Sequence, residues 1–191
     1  MQMKNLIIAA TTALLALAGC NSAKEQQERP VVVPAHHPKI AGEQQGPYYY
    51  GLIEEYRRLL AEDPNNLAGL IGLANAYAGS NQWKKSITIY DHVLRINPHD
   101  ADARTAMGIA YRNVGQVDRA LEEFQKALQG EPMHQNARYQ MGIVYAYDKR
   151  NYRAAVRVWD ELLHISPHHP EADFLRHEIL TFKQADHKEA L

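Results

Sequence analysis

The sequence predicts an all-α fold of stacked antiparallel helix pairs, and two observations carry that prediction. Four prolines, Pro64, Pro98, Pro132 and Pro167, lie 34, 34 and 35 residues apart, each closing an amphipathic segment. Between them seven positions recur in register. The first copy reads Leu73, Ala74, Tyr77, Ser86, Tyr90, Leu94 and Pro98, the second Met107, Gly108, Tyr111, Ala120, Phe124, Leu128 and Pro132, and the third Met141, Gly142, Tyr145, Ala155, Trp159, Leu163 and Pro167. A fixed period of this length marks a repeat architecture, in which one helix pair cannot bury its apolar stripe alone and must stack on its neighbours.

Each element follows from that frame. Small residues stand where helix axes cross closely, Gly108 with Ala120 and Gly142 with Ala155, and Ala74 with Ser86 is a looser version. Tyr77, Tyr111 and Tyr145 on the first helices, with Tyr90, Phe124 and Trp159 on the second, fill the spaces between repeats. Each proline follows a second helix, where its missing N–H and restricted φ favour a turn. The repeats therefore run at about 67–100, 101–134 and 135–169, and the extra residue of the third is expected in the turn Asp148 to Asn151. Before them, Pro47 to Asp63 reads as a lone second helix with Pro47 near its first position. After them, Pro170 to about Thr181 reads as a covering helix that ends in a polar tail, so the domain spans 47–183 and the tail 184–191.

The recurring positions resemble the tetratricopeptide repeat (TPR). The resemblance implies a TPR superhelix, short and right-handed, with N- and C-terminal capping helices, and it implies that the first helix of each repeat lines a concave surface that receives a peptide or helix. By register the partner-binding groove then holds Ile71 and Asn75 from repeat one, Thr105, Ile109, Arg112 and Asn113 from repeat two, Tyr139, Ile143 and Tyr147 from repeat three, and Phe174 from the covering helix. Ala68, Ala78, Asp102, Asn136, Ala146 and Glu178 fall at neighbouring inward positions. The carboxylate clamp of chaperone-binding TPR domains is not expected. Asn75 matches it, but Ile71 stands where its leading lysine would be, and Asn136 and Gln140 stand at its later basic positions. An apolar, aromatic strip with a few amide and guanidinium groups instead suits an amphipathic helix or an extended peptide.

The first residues give an address. Lys4 precedes an apolar run, Leu6 to Leu17, too short to span a bilayer permanently, so residues 1–19 read as a signal peptide. The run leads to Leu17, Ala18, Gly19 and Cys20, which resembles a bacterial lipobox whose cysteine accepts a diacylglyceryl group. Cys20 is the single cysteine of the chain, so an intrachain disulfide is excluded and the thiol lies where lipidation needs it. Residues 20–46, rich in Gln, Glu, Pro and Lys, read as the lipidated cysteine and a flexible linker. Asn21 lacks the aspartate that commonly retains such proteins in an inner membrane, which favours the outer membrane, facing the periplasm, in a cell with two membranes.

Composition excludes more than it assigns. A net charge of −1 gives no electrostatic case for nucleic acid, so membrane contact is expected through the lipid. No glycine-rich phosphate loop, redox pair of thiols or nucleophile with a spaced base occurs; no enzymatic activity and no cofactor are expected. Ten histidines raise a metal-handling alternative. His99, His134, His168 and His169 lie along one edge a repeat apart, too far to share an ion whose ligands sit about 2 Å away, and His164, His168, His169 and His177 form the one local cluster. Pairs such as Glu122 with Glu123 are expected on solvated faces. The reading is a lipid-anchored scaffold or assembly factor that binds a protein or peptide in the cell envelope. Its alternatives are a pilotin-like secretin assembly lipoprotein and a TPR chaperone of cytochrome c maturation, whose last repeat the stretch Tyr152 to Trp159, followed by Leu162 and Leu163, is similar to.

Overall fold

A computed structural model describes residues 45–189, with side chains over 48–185; Cys20, the apolar run before it and the linker lie outside the described residues. Eight helices make up the described chain: α1 (Gln45–Glu62), α2 (Leu67–Gly79), α3 (Trp83–Ile96), α4 (Ala101–Asn113), α5 (Val117–Gly130), α6 (Gln135–Ile143, continued by a wider turn over Val144–Asp148), α7 (Tyr152–Ile165) and α8 (Ala172–Glu189). Each packs on the helix before and the helix after it, and α4 also touches α6. The pairs α2–α3, α4–α5 and α6–α7 are the three repeats, with α1 and α8 closing the ends of the stack.

Recurrent capping explains where the first helices start. Asn66, Asp100 and His134 stand at the same repeat position, and their side chains accept the backbone N–H of Gly69, Ala103 and Ala137 at 2.9, 2.8 and 3.1 Å. A side-chain acceptor at this position satisfies one of the four N–H groups that a helix start leaves open. The turns from first to second helix are equally regular. Asn81, Gly115 and Arg150 adopt the left-handed conformation, at φ of 59°, 78° and 52°. In the first two repeats the next residue closes the turn on a carbonyl five positions back, Gln82 on Tyr77 at 2.8 Å and Gln116 on Tyr111 at 2.9 Å.

In the third repeat that bond spans six positions, Asn151 to Tyr145 at 2.7 Å. The extra residue is therefore absorbed inside the last turn of α6, which widens to π geometry over Val144–Asp148 with Lys149 N–H donating to the Val144 carbonyl at 2.9 Å. The expected site, the turn Asp148 to Asn151, is thus displaced upstream. The turn must keep its left-handed residue one repeat further on, so the insertion is taken up by the helix before it.

The core runs along the stack as successive apolar clusters. Tyr90, Phe124 and Trp159, at 2, 0 and 0 % exposure, fill equivalent places on the second helices. The glycines opposite serve these rings more than the alanines expected to face them: a Cβ on Gly108 would lie 2.5 Å from the Phe124 ring, and one on Gly142 would lie 2.1 Å from the Trp159 indole. Two glycines of α2 do the same for the N-terminal helix, Gly72 against Tyr56 and Gly79 against Tyr49, so α1 seats its rings in glycine notches.

At the ends the structure extends the expected helices. α1 begins at Gln45, two residues before Pro47, and α8 continues through Glu189 instead of ending near Thr181. Phe182 stacks on Trp159 with ring centres 6.2 Å apart, and Lys183 reaches Asp160 at 2.9 Å, so contacts with α7 persist beyond the expected end. The tail that follows lacks a helix breaker.

Candidate functional site

By the TPR register α2, α4, α6 and α8 are the inner helices, and polar contacts join the last three. Nε2 of His134, the residue that caps α6, lies 3.0 Å from Asp102 of α4. At the far end of the same pair, Arg112 of α4 donates from Nε to Asp148 of the π turn at 2.5 Å. Tyr147, beside it, donates its hydroxyl to Glu178 of α8 at 2.6 Å. The extra residue of the third repeat thus places two consecutive side chains, Tyr147 and Asp148, where one reaches forward to α8 and the other back to α4.

The groove residues expected from the sequence divide into two sets. Ile71, Asn75, Ile109 and Arg112 are half-buried, while Asn113, Tyr147 and Phe174 are exposed, the last two at 47 and 37 %. Asn75 accepts the Tyr90 hydroxyl on its side-chain oxygen at 2.5 Å, which fixes the amide and leaves its NH2 group as the donor it can offer. Thr105, Tyr139 and Ile143 are buried and correct the expectation that they line an open surface. Thr105 donates back to the Ala101 carbonyl at 2.7 Å. Tyr139 and Ile143 belong to the cluster of Trp159, Leu162, Leu175 and Ile179, and the His169 ring stacks on Tyr139 at 5.6 Å. For Tyr139 and Ile143 the physical reason is α8: it packs as the first helix of a fourth repeat would, and its apolar face covers residues that register alone leaves inward.

What stays open is a corner framed by Arg112, Asp148, Tyr147, Phe174 and Glu178. Its rings rest on buried aromatic surface, with Phe174 6.1 Å and Tyr147 6.5 Å from the Trp159 ring. Partial desolvation, followed by the hydrogen bond to Glu178, raises the Tyr147 phenol far above its ordinary range, so the hydroxyl stays a donor. Burial also pushes the Tyr139 phenol up to about 12, with Glu171 adding to the effect and Arg112 opposing it. Desolvation lowers the His169 imidazole. The hydrogen bond from His134 holds the Asp102 carboxyl below the usual carboxylate range.

Two histidines of the edge act as caps. His134 and His169 each accept a backbone N–H at Nδ1, from Ala137 and Glu171, both at 3.1 Å. Among the described residues, no group of three or more His, Cys, Asp and Glu converges to hold a metal ion. No helix among them is long and apolar enough to cross a membrane.

Sequence reasoning missed a second set of recurring contacts. Arg104 and Arg138, one repeat apart, donate to the carbonyls of Pro98 at 2.7 Å and Pro132 at 2.5 Å, and Arg176 does the same for Pro167 at 2.7 Å. Arg104 also pairs with Glu123 at 3.0 Å, and Lys126 adds a second cation at 2.6 Å. Glu123 is therefore buried, 6 % exposed, and not on a solvated face as expected. The spacing of Arg104 and Arg138 is the signal that would have found these clamps.

Residues 53–110 match the family model described as tetratricopeptide repeat. Solved structures agree along most of the domain. MamA superposes with a TM-score of 0.60 at 23 % identity, over 74 % of this chain and 89 % of that one. The fold is a TPR superhelix. A thermophilic TPR protein of Thermus thermophilus matches at 0.60 and 20 % identity, over 72 % of this chain and 74 % of its own. A TPR protein of Parabacteroides merdae matches at 0.62 and 18 % identity, over 72 % of this chain and 54 % of its own. No curated protein matches the chain significantly.

Proposed function

We propose that this protein is a lipid-anchored TPR scaffold or assembly factor of a bacterial envelope, holding a protein or peptide partner in its concave groove. The observation that supports it most is the open corner at the α6–α8 end. Phe174 and Tyr147 expose large rings that rest on the buried Trp159, beside the Arg112–Asp148 pair. Aromatic side chains fixed on a rigid floor lose little freedom on binding and anchor protein interfaces. The anchor is read from Leu17, Ala18, Gly19 and Cys20, and in a two-membrane cell the outer membrane, facing the periplasm, is its address. Two attached acyl chains, at about 0.8 kcal/mol per buried methylene, would hold the domain at the membrane stably.

Two measurements in the native cell test the reading. Cys20→Ser should leave an unprocessed or mislocalised precursor; unchanged fractionation and an unchanged mature N-terminal mass would remove the lipid anchor. A photo-crosslinker at Phe174 should capture a defined protein that the same probe at Glu122, on the outer helix α5, does not. Equal capture from both positions would take the site out of the groove.

A further inference from the structure

We propose that the edge formed by the turns from first to second helix docks, by its α1 end, on an anionic phospholipid surface. The inference rests on the lipid-anchor reading and adds how the anchored domain meets the membrane. The edge is one continuous strip. A Cβ on Gly79, the last residue of α2, would touch the Tyr49 ring near the start of α1, and Val114 shares an open cleft with residues 81–85. Further along, Lys149 reaches Asp118 at 2.5 Å, and the Tyr152 ring lies 4.5 Å from that of Phe182 in α8.

A net charge of −1 conceals a division between the two edges. Residues 79–86, 113–120 and 148–155, around these turns, hold six Lys or Arg against two Asp. Residues 62–69, 96–103, 130–137 and 165–172, around the turns of the histidine edge, hold six Asp or Glu and no Lys or Arg. The arginines that reach back to that edge, Arg104, Arg138 and Arg176, each bring their own acid, Glu123, Glu161 and Asp173. On the basic edge Lys84, Lys85, Arg119 and Arg150 are exposed and have no carboxylate partner among the described residues, a state shared there by Arg58 of α1 and Arg157 of α7 alone. Rings accompany the charge. Tyr48 and Tyr50 are 64 and 59 % exposed, and half-buried Trp83 precedes the two lysines, whereas the four acidic stretches contain no Tyr, Trp or Phe.

The chain from the anchor enters at this same end. Twenty-four residues separate Cys20 from Gln45, where α1 starts. A coil of that length averages about 25–30 Å end to end, which holds the edge near the surface at high effective concentration. Weak affinity then suffices. Tyr and Trp settle at headgroup depth, where the ring is covered and its polar tip stays wet. Each Lys or Arg close to an anionic leaflet strengthens attachment about fivefold, within a screening length. The same field turns the acidic edge away. An acidic polypeptide would satisfy the cations too, but not the place where the tether begins. Because the helices run from one edge to the other, docking covers neither the inner nor the outer face of the stack.

The test takes the protein as the cell processes it and reconstitutes it with vesicles of phosphatidylcholine alone or mixed with phosphatidylglycerol, the acyl chains brominated near the headgroup. Trp159 is fully buried, so lipid quenching of tryptophan emission reports Trp83. Quenching should be at least about twofold greater in the anionic vesicles, and the gain should vanish in high salt. Trp83→Phe should abolish the gain, and Lys84→Gln with Lys85→Gln should at least halve it. If that pair melts low, Lys84→Gln with Arg119→Gln carries the comparison. Equal quenching in both vesicle types, from protein that floats with both, would overturn the docked edge and leave the anchor standing. A gain that persists in Trp83→Phe would also overturn it, as would a Trp83 emission shift on adding polyglutamate without any response to phosphatidylglycerol, which would assign the edge to an acidic polypeptide. Protein that fails to float with phosphatidylcholine vesicles carries no anchor; flotation and quenching regained on phosphatidylglycerol would keep the edge, and their absence would overturn both readings.

Discussion

The Trp159 indole lies over Gly142, so close that a Cβ there would stand 2.1 Å from Nε1. The same Nε1–H points at the Tyr139 carbonyl at 3.3 Å. Gly142→Ala must therefore displace a fully buried ring shared by α6, α7 and α8, and overpacking of this kind costs about 1 to 3 kcal/mol. Gly108→Ala against Phe124 should behave alike. Glu122→Gln, on an exposed face, should change stability by no more than about 0.5 kcal/mol, whereas Glu123→Gln should cost about 1 to 3 kcal/mol because it leaves the Arg104 guanidinium short of its charge partner. Urea titrations of the four variants check the order; equal midpoints for Gly142→Ala and Glu122→Gln would contradict it.

Ser86 occupies the place of Ala120 and Ala155, completely buried, and its hydroxyl has no hydrogen-bond partner among the described residues. A buried polar group left without a partner costs about 1 to 3 kcal/mol. Ser86→Ala should stabilise the domain by about 1 kcal/mol, read as a raised melting temperature. A lower one would show that the hydroxyl is satisfied.

The His169 imidazole is lowered from its ordinary value of about 6.5 by desolvation, and its Nδ1 accepts the Glu171 N–H only when unprotonated. Between the folded and unfolded pKa the unfolded chain binds more protons, so stability falls as pH drops from about 6.5 toward the folded value and levels off below it. Asp102 acts in a lower window: its depressed carboxyl contributes stability above about pH 4 that is lost as pH falls through its folded value. Melting curves from pH 8 to pH 5 should slope downward in the native protein and be flatter in His169→Asn. The same slope in both would exclude His169 as the source.

Two groove aromatics separate packing from binding. Tyr139→Ala removes a side chain 4 % exposed from the α6–α8 cluster and should cost about 3 kcal/mol or more. Phe174→Ala, at 37 % exposure, should leave the melt within about 1 kcal/mol of native while capture of the partner drops by about tenfold or more. Calorimetry beside a thermal melt makes both readings. A collapsed melt for Phe174→Ala would return that ring to the core.

Read alone, the sequence determined the helix pairs, their order and their large buried residues, because a repeat that must bury one stripe leaves that requirement at every period. Pro98, Pro132, Tyr90, Phe124 and Trp159 carry it visibly. Tertiary structure decided what depends on neighbours beyond the period. It buried Thr105, Tyr139 and Ile143, the last two beneath the cluster that α8 completes, and it drew Glu123 inward to Arg104. It also moved the third repeat's extra residue from the turn into a π turn, which takes up one inserted residue within the helix and leaves the left-handed residue of the turn in place. Spacing along a chain specifies which face a residue takes, but exposure is set by whatever next packs on that face.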